Sequence, residues 1–219
     1  MRKFSYLLIL GGILILLYPK ANEWYNDWQQ SQLLKDAEQS YNDSANPTAD
    51  ADLESRYAKV AQLLADESAL DEQAQTAGDS PTAAGPEMGD NVIALLEINK
   101  INLKLPVLEG ATKANMKHAA AHMQETTPLG QIGNAAIAAH RARTTGRLFN
   151  RLNEVAIGDI ITVKTKNQVY EYEVYDISVV EPTDVSVLNG NNKDKILTLI
   201  TCDPLVNPTH RLIVHAKLS

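Results

Sequence analysis

Thr198-Leu199-Ile200-Thr201-Cys202-Asp203-Pro204 (TLITCDP), answered after a short loop by Thr209-His210-Arg211-Leu212-Ile213-Val214 (THRLIV), decides the reading of this 219-residue chain. Both halves are dominated by β-branched and aliphatic residues, which suit a pleated, half-buried surface. Asp203–Thr209 between them carries Pro204, Asn207 and Pro208, residue types that set up turns. The pair therefore reads as a β-hairpin that returns Arg211 across the ladder to Cys202. Side chains alternate along a strand, so Ile196, Thr198, Ile200 and Cys202 share one face and Leu197, Leu199 and Thr201 the other. Both faces are largely apolar, and periodicity leaves open which of them fills the interior.

Working outward, the same strand texture begins at Asn91. Val92–Ile98 and Ile101–Leu108 are β-rich runs separated by the turn signal Asn99-Lys100. Asn134–Ala139, Asp159–Lys164, Val169–Val180, Ile196–Cys202 and Arg211–Leu218 also read as strands. Thr112–His122, rich in Ala, Lys and Met, reads as a helix, and Leu148–Leu152 as a helical turn. Many short strands with two short helical insertions argue for an all-β barrel or sandwich over 92–219.

The first 91 residues differ. Residues 4–18 (FSYLLILGGILILLY) form an uncharged apolar run behind Arg2 and Lys3. It is close to the shortest length that spans a bilayer. Tyr18, Trp24, Tyr25 and Trp28 stand where an interfacial aromatic belt belongs. Tyr18-Pro19-Lys20 offers no small-residue cleavage site, so residues 1–20 read as a cytoplasmic N-terminus and uncleaved signal anchor. Arg2 and Lys3 place the remainder of the chain on the extracytoplasmic side. Residues 21–91 read as an acidic, partly helical stalk, with 15 Asp/Glu against three Lys/Arg. Ser31–Tyr41 and Leu53–Leu64 have helical composition, and Leu53, Tyr57, Val60 and Leu64 share one helical face. Thr76–Asp90 is a Gly/Pro/Ala-rich linker, and the whole stalk reads as a solvated tether. The net charge of −7 thus belongs to the stalk; residues 92–219 hold 14 basic and 12 acidic residues. No basic patch supports nucleic-acid binding.

One cysteine excludes an intramolecular disulfide. A lone cysteine is ordinarily a small hydrophobe, and its surroundings must argue otherwise. Asn134–Arg141 (NAAIAAHR) is a run of small residues ending in His140, and Arg211 opens the strand after Cys202. Acyl transfer needs a thiolate, a proton shuttle and a donor for the developing oxyanion. Cys202, His140 and Arg211 supply these three roles, with a cation near the sulfur favouring the thiolate.

TLITC with eight residues before Arg211, and a small-residue strand ending in His140 about sixty residues upstream, resembles the sortase family. The resemblance covers Val92–Ser219. It includes Leu105-Pro106-Val107, Gly146-Arg147-Leu148-Phe149 and Pro182–Leu188 (PTDVSVL), and is strongest to class A, the housekeeping enzymes. It implies an eight-stranded β-barrel and a membrane-anchored Gram-positive enzyme. That enzyme would cleave LPxTG-type sorting signals between Thr and Gly and join the surface protein to an amine of a lipid II-type peptidoglycan precursor. It also implies that Ala138, Val185, Val187, Ile200 and Thr201 wall the substrate groove, and that no cofactor is needed. Ala139 stands where the family often has Gly, an exchange that is mild if φ there is negative. Where some class A members hold calcium, this chain offers Glu125 and Asn189-Gly190, so no metal site is expected. The loop after Cys202 is short and lacks Trp, so an aromatic lid is not expected either. A hydrolytic cysteine peptidase on the same fold and a non-enzymatic wall-assembly module remain the competing readings.

Overall fold

In a computed structural model, residue 25 and residues 28–35, 57–64 and 92–219 are described. The apolar segment 4–18 lies outside them, as do the Gly/Pro-rich linker and most of the stalk. Among the described residues no helix is long and apolar enough to cross a membrane.

Eight strands follow in chain order: β1 Val92–Ile98, β2 Leu103–Glu109, β3 Ala120–His122, β4 Gly133–Ala138, β5 Ile160–Thr165, β6 Val169–Val180, β7 Lys195–Asp203 and β8 His210–Leu218. They close into a barrel in the order β1-β2-β3-β4-β7-β8-β6-β5, which settles barrel against sandwich. β2–β3 and β4–β7 pair parallel and the other six neighbours antiparallel. Closure leaves no open sheet edge.

One helix expectation is corrected. In 112–122 only α3, Lys113–Met116, is helical, and Ala120–His122 forms β3. All three β3 residues are buried between β2 and β4. Tertiary pairing has overridden the helix preference of alanine. The helical turn expected at 148–152 falls later, at Leu152–Glu154. A further 3-10 turn, Val185–Leu188, forms within the PTDVSVL segment, capped by the Asp184 side chain on the Ser186 amide.

The barrel interior is filled by Leu96, Val107, Ala135, Ile137, Leu197, Leu199, Leu212 and Val214, all buried, with Phe149 and Leu152 closing one end. The alternate residues of β4, β7 and β8 point outward, where Ala136, Ala138, Ile200, Cys202 and Ile213 form a second cluster. The face left undecided by sequence is thereby fixed: Cys202 is on the outside of the barrel wall.

Two helices that precede the barrel in sequence cover its outer surface. α1, residues 28–35, places Leu33 against Val92, Leu95 and Leu108, and α2, residues 57–64, places Tyr57, Val60 and Leu64 over the Cys202 cluster. The helical face seen in the sequence is thus a packing face, and the solvated-tether reading does not describe residues 57–64.

A buried polar chain holds the Val185–Leu188 turn to the barrel. Thr198 Oγ1 donates to Asn134 Oδ1 at 2.7 Å, and Asn134 Nδ2 donates to the Val187 carbonyl at 3.0 Å. His215 Nδ1 lies 2.9 Å from Thr198 Oγ1. At Gly190, just beyond the turn, an added Cβ would come within 3.2 Å of Gly133 Cα, so the backbones meet there. Thr198→Val strands the Asn134 carbonyl oxygen and should cost about 1–3 kcal/mol in urea unfolding. Burial also holds the His215 pKa below its ordinary value, with Asp176 opposing. The unfolded chain therefore binds the extra proton first, and stability present above about pH 6.5 is lost as pH falls. His215→Gln should flatten that acid slope in melts recorded from pH 7 to 5.

Candidate active site

Strand register places the three chemical residues. Ala138 pairs with Ile200 in the parallel β4–β7 ladder, and the Ala139 amide donates to the Ile200 carbonyl at 3.1 Å. Two residues further along each chain, His140 comes level with Cys202. Across the other ladder Cys202 pairs directly with Arg211. The three residues therefore form one row over adjacent chains, with strands about 4.8 Å apart. Ala139 is not among the positive-φ residues, so alanine is accommodated in place of glycine.

His140 lies just past β4, buried, its carbonyl accepting from the Phe149 amide at 3.0 Å. Arg211 is 1% exposed. Its Nη1 donates to the His210 carbonyl at 2.9 Å and Nη2 to the Ala61 carbonyl of α2 at 2.6 Å, while Nε is buried with no acceptor among the described residues. A guanidinium held by carbonyl dipoles with one N–H unsatisfied favours an arriving oxyanion.

Cys202 is 4% exposed, and its thiol donates to the Leu64 carbonyl at 3.4 Å. Burial pushes the thiol above its ordinary pKa; Arg211 and then Arg141 pull it down, and Asp203 pushes it up. As described, the sulfur is a covered thiol.

Of the residues assigned to the groove, Ala138, Val187 and Ile200 are buried in the Cys202 cluster and Val185 packs against it. Thr201 is a correction. Strand alternation turns it away from Cys202, and its hydroxyl donates to the Ala139 carbonyl at 2.8 Å, so it ties β7 to β4 instead of walling the groove. The aromatic lid that the loop after Cys202 lacks is supplied from elsewhere. Tyr57 of α2 is 1% exposed in the same cluster, and its pKa is pushed up to about 12, chiefly by burial.

Sequence reading missed the covering role of α2, although the Tyr57, Val60, Leu64 periodicity was its signal. It also assigned nothing to Arg141, which adjoins His140 and ion-pairs with Asp203, the residue after Cys202.

Among the described residues, the apolar part of the cover is Tyr57, Val60 and Leu64. Burying Tyr57, Val60 and Leu64 gains about 1.5–3 kcal/mol each, so a charge placed among them opposes the packing. Among the described residues the buried Tyr57 hydroxyl has no hydrogen-bond partner, which opposes burial by ~1–3 kcal/mol. Leu64→Asp should therefore raise the rate of Cys202 alkylation by iodoacetamide at least about tenfold, and move its pH midpoint down as the sulfur regains water. Tyr57→Phe, which removes the stranded hydroxyl and keeps the ring, should slow alkylation.

The sortase domain family matches residues 96–219. Sortase A of Bacillus anthracis is 35% identical over 127 residues, 58% of this chain and 60% of that protein. Sortase A of Listeria monocytogenes is 32% identical over 129 residues, 59% of this chain and 57% of that protein. The chain thus spans less than two thirds of the length of these relatives. Among solved structures, a lid mutant of sortase A from Corynebacterium diphtheriae superposes with a TM-score of 0.57 at 28% identity, covering 74% of this chain and 94% of that one.

Proposed function

The chain belongs to the sortase family, and on that premise we propose that it is a cysteine transpeptidase acting on LPxTG-type sorting signals. The Cys202 thiol passes its proton to His140 and the sulfur attacks the Thr–Gly carbonyl, the tetrahedral oxyanion being met by the Arg211 guanidinium. His140 gives a proton to the departing glycine amine, leaving a thioacyl-enzyme. An amine of a lipid II-type peptidoglycan precursor then attacks the thioester, its proton passes to His140, and the thiol is restored. Ala138, Val185, Val187 and Ile200 line the groove for the signal.

The observation that supports this most is the register that pairs Cys202 with Arg211 and brings His140, just past β4, level with Cys202. Similarity to the sortase A proteins of Bacillus anthracis and Listeria monocytogenes supports the class A role. Residues 1–20 serve as a signal anchor in the cytoplasmic membrane, residues 21–91 as the stalk, and residues 92–219 as the extracytoplasmic catalytic domain.

Incubating the detergent-solubilised full chain with an LPxTG peptide and an amine acceptor should give ligated product by mass spectrometry, with cleavage alone dominating when the amine is omitted. Cys202→Ala should give none, and Arg211→Ala should lower the rate about 10²–10³-fold. Equal product from the wild type and Cys202→Ala overturns the proposal.

A further inference from the structure

Arg141 follows His140 directly, yet its guanidinium turns back to the strand that carries the nucleophile. Nη1 donates to the Cys202 carbonyl at 3.3 Å and to Asp203 Oδ1 at 2.5 Å, and Nε donates to the Asn150 carbonyl at 3.5 Å. Its side chain is 8% exposed. Asn150 Nδ2 in turn donates to the Ala142 carbonyl, and the Phe149 amide to the His140 carbonyl. One side chain thus joins three segments: the residues leaving β4, the turn at 149–150, and the end of β7. Leu148 in this loop holds φ at +46°, a conformation that a leucine keeps only where its surroundings enforce it.

His140 lies beyond the last ladder residue of β4, so sheet hydrogen bonds alone do not fix it. Resting on the transpeptidase reading, we propose that Arg141 is a positioning residue. Clamped to Asp203 and the Cys202 carbonyl, it sets the distance between imidazole and sulfur, and its charge favours the thiolate from the side opposite Arg211. Among the described residues, the charged groups acting on the sulfur are Arg211 from β8, Arg141 from the end of β4 and Asp203 on β7, with Tyr57 of α2 in the same cluster, Asp184 acting on Tyr57, and His140 level with Cys202. Arg141 and Asp203 act on the thiol with opposite signs.

The test uses the full chain, with transpeptidation kinetics and the pH profile of Cys202 alkylation as separate readouts. Arg141→Met should lower kcat about 10- to 100-fold, as expected for sub-ångström to ångström misplacement of a catalytic group, with KM within about threefold. It should also move the alkylation midpoint to higher pH. Asp203→Asn keeps an acceptor for Arg141 and removes an anion, so it should move the midpoint down. Arg141→Lys, which keeps the charge, should hold the midpoint near wild type and recover part of kcat. If Arg141→Met leaves kcat within twofold of wild type, or if both neutralising substitutions move the midpoint the same way, the inference fails. Should the wild type make no product, the transpeptidase reading falls, while the alkylation profiles still decide what Arg141 does to the thiol.

Discussion

The site depends on one register: Ala138 against Ile200 in a parallel ladder, and Cys202 against Arg211 in an antiparallel one. A slip of one residue in either ladder would turn a chemical side chain into the barrel and a core residue out of it. The interior enforces the pairing. Ala135, Ile137, Leu197, Leu199, Leu212 and Val214 are all buried there, so a one-residue slip would expose the core. Catalytic alignment is in this way a by-product of core packing.

The row is then completed by contacts that the sheet does not supply. Thr201 ties β7 to the residue before His140, Arg141 ties the residue after it to Asp203, and the Asn134–Thr198 chain hangs the Val185–Leu188 turn beside the thiol. Over this assembly lies α2, whose carbonyls at Ala61 and Leu64 engage Arg211 and Cys202. Those are the same groups that an incoming peptide carbonyl would meet. A buried cation is costly without polar partners, and in the covered form the helix provides some of them.

Much of this was legible in the sequence. The strand pattern after Asn91, the hairpin at Asp203–Thr209 and the three chemical residues follow from β-branched runs, turn residues and residue chemistry. What stayed hidden was decided by contacts distant in sequence. Ala120–His122 becomes a strand through burial between two others, against its alanine content. Thr201 leaves the groove because β7 presents its odd-numbered side chains to the barrel, which apolar character on both faces could not reveal. The Tyr57, Val60 and Leu64 face was visible as a pattern, but a helical stripe does not name what it packs against. Arg141 carried no signal beyond adjacency to His140.

In the proposed reaction Cys202 is an acyl-accepting nucleophile served by its two neighbours in the row. Intact-mass analysis of the full chain incubated with an LPxTG peptide and no amine tests it most directly. The acyl fragment ending in Thr should be found on the proteolytic fragment containing Cys202, and should leave when an amine is added. Absence of any adduct when the Leu64→Asp chain is also tried, or an adduct on a fragment lacking Cys202, would contradict the account.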